Sequence, residues 1–376
     1  MGKHNFAVIG LGSIAKTHLI GLKSADIIYN ERRFTNFKLH SLYRRSGSTE
    51  LEFFSFVSSN LEDILKNADI DAVDICTPNF LHKKQCSRAL AYNKHVYLEK
   101  PITSKIKDAE ILSKKAEQAE NRGVINQVAF VLRYLPSIIL AREYIKKGYL
   151  GDIINFRSEL FHSSYLNPDQ PISWRLKKNL SGGGALMDLG IHLIDLIRFV
   201  LGEIKVVHAE TKCYFKERFS DSSMQKKEKV NVDEWARVNL VLENGGRGTA
   251  EVSLISSSAD SKPLLEVYGT EGSISIKTSR PNYPEIYHHK RGVLEIGELD
   301  LSSDFIDLHR KIYPADKADL GWFINTHLSG LIHFINRLNT GDDFSEIPDI
   351  NDGLLAQRIV NDAYIYAESN IDGKCN

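Results

Sequence analysis

The sequence predicts an α/β protein in which an N-terminal domain with a doubly wound parallel sheet precedes an α+β domain with a large, mostly antiparallel open sheet. Three observations carry this prediction. A glycine-containing turn separates the first apolar segment from a helical segment, strand-like and helical segments then alternate, and beyond residue 136 strand-like segments follow one another directly. A chain of 376 residues also exceeds what one hydrophobic core usually supports. We therefore place the domains at 1–127 and 128–376.

The composition is that of an ordinary globular protein, with 42% hydrophobic and 26% charged residues. The formal net charge is zero, so no global positive field attracts a phosphate backbone, and nucleic acid is not the expected partner. The four cysteines lie far apart without a CxxC pair, which is typical of reduced thiols in a cytoplasmic protein; they are Cys76, Cys86, Cys213 and Cys375. We expect no signal peptide and no membrane span.

The first turn has the spacing of a dinucleotide-binding loop. An apolar segment at 6–9 enters Gly10-Leu-Gly12-Ser-Ile-Ala15, and a helical segment follows to about residue 24. Gly10 permits a tight turn, Gly12 lets a pyrophosphate approach the backbone, and Ala15 lets the helix pack closely on the strand. The phosphates would lie at the helix N-terminus, next to Ser13 and Ile14. Without further context, the same glycine pair also fits an ordinary turn.

The context is a repeated alternation of elements. We predict strands at 38–43, 72–76, 95–98 and 124–130 and helices at 61–67, 81–92 and 107–121, with Ser59 or Asn60 capping the first of these helices. In such a sheet ligands bind beyond the carboxyl ends of the strands. The candidates are Gly10 to Ala15, Arg44 to Ser46, Thr77 to His82, and Glu99-Lys100-Pro101. The alternative to ligand binding is a purely structural role. The prolines would then only shape the loops, and Glu99 and Lys100 would form a solvated surface pair.

The second domain begins with a helix from 136 to 148 and continues with strands at 153–162, 205–215, 234–243, 247–253, 264–268 and 273–277. Glycine-containing turns join several of these strands, which favours an antiparallel sheet. We interpret 220–229 as a solvated loop and predict helices at 325–339 and 352–369, the last of which could pack back toward the first domain. Strand 235–242 carries apolar residues on both faces, so we expect a homodimer or homotetramer formed through this sheet.

A polar stripe runs along the apolar segment 181–202. On a regular α-helix, Asp188, His192 and Asp195 fall at i, i+4 and i+7, and apolar residues cover most of the remaining surface. Burying a carboxylate or an imidazole without hydrogen-bond partners costs roughly several kcal/mol of folding free energy. The stripe therefore faces either a polar site or a satisfied core network. Metal ligation is disfavoured because no fourth ligand is evident, and we predict no metal site.

Five segments together resemble the Gfo/Idh/MocA oxidoreductases, the family of glucose–fructose oxidoreductase and inositol dehydrogenase. They are VIGLGSIAKTH at 8–18, DAVDICTPNFLH at 71–82, YLEKPI at 97–102, GGGALMDLGIHLIDL at 182–196 and NDGLLAQRIVNDAYIYAES at 351–369. The resemblance implies a Rossmann domain that binds a nicotinamide cofactor. It also implies a second domain whose open sheet usually mediates assembly into dimers or tetramers.

The resemblance also implies roles for individual residues. Lys100 would sit beside the reacting carbon and the cofactor, while Asp188 and His192 would bind the substrate hydroxyl, with His192 as the base. Arg133, Trp174 and Arg175 match positions that commonly border the substrate, although core and surface roles fit them equally well. The expected cofactor-binding residues are Gly10, Gly12, Ser13, Ile14, Ala15, Arg44, Arg45, Thr77, Pro78, Asn79, His82, Glu99 and Lys100.

One departure from the family concerns the choice of cofactor. Many members that prefer NAD end the second strand with an acidic residue, whereas this strand ends Leu42-Tyr43-Arg44-Arg45-Ser46. An arginine there can pair with a 2′-phosphate, and the expected cofactor is therefore NADP or NAD.

The expected chemistry is hydride transfer between the nicotinamide and a secondary alcohol of a sugar, cyclitol or sugar derivative. Such an oxidation needs a neutral proton acceptor and a cation for the developing alkoxide, which His192 and Lys100 supply at the junction of the two domains. Asp188 can orient both the imidazole and the substrate hydroxyl. A dinucleotide-dependent regulatory protein and an NAD-dependent glycosidase are the alternatives, but retention of all three residues favours an enzyme.

Overall fold

The computed structural model describes residues 3–45, 52–257, 262–294 and 301–369. Ser46 and Cys375, which the sequence analysis singled out, lie outside these residues. The chain forms two compact units, one comprising Met1–Tyr134 and Asp307–Leu354 and the other Leu135–Ile306 and Leu355–Asn376. None of the helices in the described segments has the length and apolarity needed to cross a membrane.

The first unit contains a six-stranded sheet in which every described pairing is parallel. Its order is β3-β2-β1-β4-β5-β6. These strands are β1 (His4–Ile9), β2 (Phe37–Tyr43), β3 (Phe56–Ser58), β4 (Ala72–Ile75), β5 (His95–Leu98) and β6 (Asn126–Val128). The predicted doubly wound parallel sheet is confirmed. The sequence analysis missed β3, because its three residues are exposed or half-buried and have no apolar periodicity.

The described residues form eleven α-helices. They are α1 (Ser13–Ile28), α2 (Arg32–Thr35), α3 (Leu61–Leu65), α4 (Asn79–Ala91), α5 (Ile106–Glu120), α6 (Pro136–Lys146), α7 (Lys178–Ser181), α8 (Ile191–Leu201), α9 (Asp304–Ile312), α10 (Trp322–Thr340) and α11 (Ile350–Ser369). As predicted, the Asn60 side chain caps α3 by accepting the Glu62 N–H at 3.2 Å.

Helix α10 completes the core of the first unit. It packs on α1 where Gly21 allows a close approach, since a Cβ at that position would lie 3.2 Å from Leu328 Cβ. The Phe334 ring on α10 meets Phe6 of β1 edge-on, with 5.9 Å between the ring centroids. The start of the chain and a helix near its end are therefore held in one hydrophobic core.

The second unit contains an eight-stranded sheet with the order β16-β15-β14-β13-β7-β12-β11-β8. Its strands are β7 (Ile153–Phe161), β8 (Ile204–Lys212), β11 (Trp235–Leu242), β12 (Arg247–Ser253), β13 (Leu265–Gly269), β14 (Gly272–Ile276), β15 (Glu285–His288) and β16 (Gly292–Leu294). Among the described strands of this second sheet, only β7 and β12 pair in parallel. The predicted large, mostly antiparallel sheet is confirmed, and β15 and β16 extend it beyond the prediction.

A small separate ribbon corrects the interpretation of 220–229 as a loop. Strand β9 (Glu217–Phe219) pairs in antiparallel fashion with β10 (Lys227–Lys229), so the end of the predicted loop is a strand. The sequence Lys-Glu-Lys gives no apolar alternation that could have indicated it. Arg218 holds the ribbon in place, since its fully buried guanidinium pairs with the buried Glu234 carboxylate at 2.8 Å.

Candidate active site

The glycine turn between β1 and α1 has the two properties expected of a phosphate loop. Gly10 has a φ of +99°, and a Cβ there would lie 2.9 Å from Thr77 Cγ2, so the turn requires glycine. Gly12 is the N-cap of α1, and a Cβ on it would meet nothing within 4 Å. No side chain caps this helix end, and its first turn has no acidic residue. The helix N-terminus is therefore suited to an anionic group.

The next three residues divide between surface and core. Ser13 is exposed and Ile14 is half-buried in the first turn of α1, whereas Ala15 is fully buried in the hydrophobic core of this unit. Ala15 thus has the close-packing role expected of it. Ser13 and Ile14 present their backbone N–H groups at the helix end.

The end of β2 presents two arginines. Arg44 follows the last residue of the strand, and its N–H donates to Ser58 O on β3 at 3.1 Å. The Arg44 side chain is half-buried and that of Arg45 is exposed. The described residues at this strand end include no carboxylate. The backbone of Arg44 is therefore fixed at the position where a parallel sheet of this kind meets the cofactor ribose.

His82 ties together two loops that follow neighbouring strands. Its Nε2 lies 2.7 Å from Thr77 O, after β4, and its Nδ1 lies 2.8 Å from Pro101 O, after β5. Burial lowers the pKa of His82, and the two carbonyl groups oppose that effect. Pro78 is the N-cap of α4 and Asn79 is its first residue. His82 thus acts on the site by holding loops in position.

The loop after β5 contains Glu99 and Lys100. Glu99 is buried, and its Oε2 accepts the Lys100 N–H at 3.2 Å. The Lys100 side chain is half-buried. The interpretation of these two residues as a solvated surface pair does not hold for Glu99, since its carboxylate is directed into the protein.

Glu99 belongs to a buried group of side chains that we call the His18 cluster. It comprises His18, Asp74, Cys76, Glu99 and His327. His18 Nδ1 lies 2.9 Å from Asp74 Oδ2, and its Nε2 lies 3.1 Å from His327 Nδ1. Burial lowers the pKa of His18, but the charge of Asp74 and the contact with Cys76 outweigh burial, so the net pKa is raised. The motifs contained His18, Asp74 and Cys76, whereas nothing in the sequence indicated His327.

In the second unit, three predicted residues lie together. Trp174 and Arg175 belong to a short 3-10 helix, Trp174–Leu176, and the Arg175 guanidinium stacks over the Trp174 ring at 4.5 Å. Arg175 Nε lies 3.9 Å from Asp188 Oδ2. The Asp188 side chain is about one quarter exposed, which leaves its carboxylate accessible beside a cation. The arrangement is a polar, aromatic-lined surface of the kind that binds hydroxylated ligands.

The prediction of one regular helix through Asp188, His192 and Asp195 is wrong. Residues Leu186–Gly190 form a π-helix, and α8 begins only at Ile191. The wider π-turn separates Asp188 from the regular helical register of His192, which is the second residue of α8. Asp195 lies one turn further along α8 and is buried. The spacing of apolar residues does not distinguish a π-helix from an α-helix, so the sequence could not indicate this segment. Such segments occur often at functional sites.

Asp233 anchors the start of this segment, although no sequence motif indicated it. Its Oδ1 accepts the Gly184 N–H at 2.9 Å and the Tyr364 hydroxyl at 2.7 Å. Its Oδ2 accepts the Leu186 N–H at 2.8 Å. Burial raises the pKa of Asp233, and these hydrogen bonds oppose the rise. The carboxylate thus anchors the backbone immediately before the π-helix.

Arg133 belongs to the first unit and is buried. Its Nη2 pairs with Asp352 Oδ1 at 3.2 Å, and its Nη1 donates to Glu346 O at 3.4 Å. These contacts attach the 3-10 turn Val131–Tyr134 to the start of α11. A contact between Arg133 and a substrate stays a prediction.

These features define a class of protein. A parallel doubly wound sheet with a glycine turn at the N-terminus of its first helix is typical of a dinucleotide-binding Rossmann domain. Two family models match in the same order. Residues 4–127 match the model described as oxidoreductase family, NAD-binding Rossmann fold, and residues 138–275 match the GFO/IDH/MocA C-terminal domain. The chain belongs to the Gfo/Idh/MocA family of oxidoreductases.

Similar proteins include two curated relatives. Levoglucosan dehydrogenase of Pseudarthrobacter phenanthrenivorans is 30% identical over 238 residues, and the match covers 60% of each chain. The chain thus spans less than two thirds of that relative's length. Glucose-6-phosphate 3-dehydrogenase of Bacillus subtilis is 25% identical over 359 residues, covering 94% of this chain and 93% of the relative. A solved structure of levoglucosan dehydrogenase with NADH and L-sorbose superposes with a TM-score of 0.85 at 24% identity, covering 98% of both chains, and supports the fold.

Proposed function

We propose that the protein is an NAD(P)-dependent oxidoreductase that transfers a hydride between a nicotinamide cofactor and a secondary alcohol of a sugar, cyclitol or sugar derivative. The observation that carries the proposal is the group of Trp174, Arg175 and Asp188 beside the π-helix that precedes His192. This group offers an orienting carboxylate, a cation and an aromatic surface, followed by a candidate base. Family membership and the open N-terminus of α1 support the cofactor class.

In the proposed reaction, His192 and Lys100 have separate roles. His192 accepts the proton of the substrate hydroxyl, while the Lys100 ammonium stabilises the alkoxide that develops on the same oxygen. When bound, a nicotinamide would supply the acceptor for the hydride that leaves the substrate carbon, and the product would be a ketone. Asp188 holds the substrate hydroxyl and the imidazole in register. Arg175 Nε lies 3.9 Å from the Asp188 carboxylate, so a cation stands beside the orienting acid.

The substrate class rests on polar groups and on the relatives. An Arg–Asp pair beside an indole ring presents donors, acceptors and an apolar face, which is the combination that sugar rings bind. The relatives named above are dehydrogenases of levoglucosan and of glucose 6-phosphate. We propose a cyclic polyol as the substrate, without nucleic acid or membrane as a partner.

The test is a substrate screen. Aldoses, inositols and sugar acids are incubated with the purified protein and either NAD or NADP, and nicotinamide reduction is followed. Reduction that depends on one polyol is expected. Cofactor binding without reduction across the panel would point to a regulatory protein instead. Cleavage of glycosides without net cofactor reduction would point to a glycosidase.

We also propose that NADP is used at least as well as NAD. Arg44 follows β2 directly and has its N–H bound to Ser58 O, so its side chain starts from a fixed position at the strand end. A guanidinium there can pair with a 2′-phosphate. Replacing Arg44 and Arg45 by Ala should raise the KM for NADP far more than the KM for NAD. Equal increases would refute the assignment.

We further propose that the protein acts in the cytoplasm as a homodimer or homotetramer assembled through the eight-stranded sheet. On the face of β11 away from the core, Trp235 donates to Glu251 at 2.7 Å and Arg237 to Glu210 at 2.9 Å. Ordered polar side chains of this kind suit contact with an identical face. Sedimentation should detect a dimer or tetramer at micromolar concentration, and a monomer alone would contradict the proposal.

A further inference from the structure

We propose that His18, Glu99 and His327 of the His18 cluster form a binding site for one divalent transition-metal cation, with Zn²⁺ as the best match. All three side chains are buried in the first unit. They come from α1, from the loop after β5 and from α10. His18 and His327 are 309 positions apart, so no ligand spacing in the sequence could have indicated the site.

The distances between the ligand atoms fit one ion. His18 Nε2 lies 3.1 Å from His327 Nδ1 and 3.3 Å from Glu99 Oε1, and all three atoms lie within 4.8 Å of one another. Zinc–nitrogen bonds of about 2.0–2.1 Å in a tetrahedron place neighbouring ligand atoms about 3.3 Å apart. Two of the three distances between ligand atoms already have about this length. A small rotation of one side chain can bring the third distance to the same value.

Glu99 provides a second, independent observation that supports a cation site. Its carboxylate is buried, and Oε1 has no hydrogen-bond donor among the residues that the structure describes. The 3.3 Å approach of this oxygen to His18 Nε2 does not have the geometry of a hydrogen bond. A buried carboxylate oxygen without a donor is costly. A cation between the three atoms would satisfy it.

The surroundings supply the outer contacts that metal-bound histidines require. Asp74 Oδ2 accepts from His18 Nδ1 at 2.9 Å, which is the carboxylate–histidine–metal arrangement that fixes the ring and leaves Nε2 to bind the ion. The Tyr97 ring meets His18 edge-on at 5.7 Å, and the Phe323 ring meets His327 at 4.8 Å. Aromatic rings therefore border both histidines.

The ligand types select the class of ion. Two imidazoles and one carboxylate suit Zn²⁺ and its transition-metal neighbours, whereas Ca²⁺ and Mg²⁺ prefer all-oxygen ligands. Cys76 lies 3.3 Å from His18 Nδ1, on the opposite side of the ring from the proposed ion, and is not a ligand. The bound ion would link α10 to α1 and β5, so metal binding would add to the stability of the first unit.

The test measures metal content. Because the ligands are buried, the ion should enter as the chain folds, so the protein is produced in zinc-supplemented medium, freed of any affinity tag and desalted. About one zinc per chain is expected by elemental analysis, as for a single-site protein. Protein produced with Co²⁺ should show the visible absorption of tetrahedral cobalt. Metal-depleted protein should have a lower melting temperature.

Matched variants locate the ion. His327→Gln should lose the zinc and the cobalt spectrum, and His18→Gln serves if that variant does not fold. His333→Gln is the control, since this residue lies on the same helix but its ring contacts His309 outside the proposed site, and it should keep the metal. Zinc-grown wild-type protein without bound metal would overturn the proposal and leave a proton-bridged network. Equal zinc in wild type and His327→Gln would overturn it too.

Discussion

The backbone of Gly184 touches the backbone of Asp233 so closely that a Cβ on the glycine would lie 1.7 Å from the Asp233 carbonyl oxygen. The carbonyl of Asp233 also accepts the Ala185 N–H at 2.8 Å, while its carboxylate accepts the N–H groups on either side. The glycine run is thus a packing requirement of the segment that leads into the π-helix.

Replacing Gly184 by Ala should destabilise the protein strongly, because the atom that the new methyl group meets is backbone and cannot rotate away. We expect a loss at the upper end of single substitutions, about 3–5 kcal/mol in the free energy of unfolding. Thermal unfolding of the purified variant measures it. A melting temperature equal to that of the wild type would show that the segment can shift at little cost.

Replacing Gly12 by Ala should leave stability unchanged and weaken cofactor binding instead. A Cβ there meets nothing within 4 Å and φ is −80°, so the melting temperature should stay close to that of the wild type. The methyl group would occupy the space through which a pyrophosphate approaches the helix end. We expect the KM for the dinucleotide to rise about tenfold, equivalent to ~1.4 kcal/mol. Unchanged cofactor kinetics would remove Gly12 from the binding loop.

The sequence predicted the parts of the fold that depend on periodicity and turns. Strand β5 was placed to the residue, and the glycine turn of α1 was located from its spacing. The π-helix was missed because it changes the backbone without changing the apolar pattern. Asp233 and His327 were missed for a different reason: their partners at Gly184 and His18 are distant in the chain, and only the tertiary fold brings them together.

Asp233 and Tyr364 should act as positioning residues for the π-helix. The Tyr364→Phe variant removes one donor to the Asp233 carboxylate, which should cost about 0.5–2 kcal/mol of stability. If the network also positions Asp188, the KM for the polyol should rise while the KM for the dinucleotide stays constant. Steady-state kinetics with each substrate varied in turn measure both.

The Asp233→Asn variant is a more severe test of the same network. The amide retains one acceptor oxygen but presents an NH₂ group to backbone donors, so we expect a larger loss of stability than in Tyr364→Phe. The control is Glu368→Gln, which removes a surface ion pair with Lys178 and lies on the same helix as Tyr364. Equal effects of the control and the two network variants on the polyol KM would contradict a positioning role.

The buried pair His309 and His333 should make stability depend on pH. Their rings stack in parallel, with Nδ1 of one 3.0 Å from Nε2 of the other. Burial lowers the pKa of His309 to about 3 and that of His333 well below its usual value. In the unfolded chain both titrate near about 6.5, so the unfolded state binds more protons below that pH. The stability that this pair contributes is therefore fully present above about pH 6.5 and is lost as the pH falls below that value.

Melting temperatures between pH 7.5 and 5 measure this effect, above the range where most carboxylates titrate. The melting temperature of the wild type should fall steadily below pH 6.5. The melting temperature of a variant with Phe at positions 309 and 333 should fall less. Burial also lowers the pKa of His82 and that of His95, the latter to about 4, so the difference between the two proteins isolates the pair. The half-exposed His208 provides the control through His208→Gln. Parallel pH curves for wild type and double variant would refute the assignment.

The last prediction separates catalysis from packing at His192, Lys100 and Asp188. Loss of a general base typically costs about 10² to 10⁴ in rate, so His192→Ala should lower turnover by that factor while dinucleotide binding survives. Lys100→Ala should also lower turnover, with some loss of cofactor affinity, because it removes the ammonium group while the backbone N–H that binds Glu99 is kept. Asp188→Asn removes the charge that lies near Arg175 and should weaken polyol binding and turnover together.

If the three side chains served only to satisfy a core network, the pattern would reverse. Each substitution would then lower the melting temperature by several degrees and leave the turnover of the folded fraction nearly unchanged. Turnover and melting temperature measured on the same preparations therefore decide between the two roles. The half-buried Asp188 and His192 favour catalysis, because neither is sealed in the interior as Asp195 is. A stable His192→Ala variant with wild-type turnover would remove the proposed mechanism.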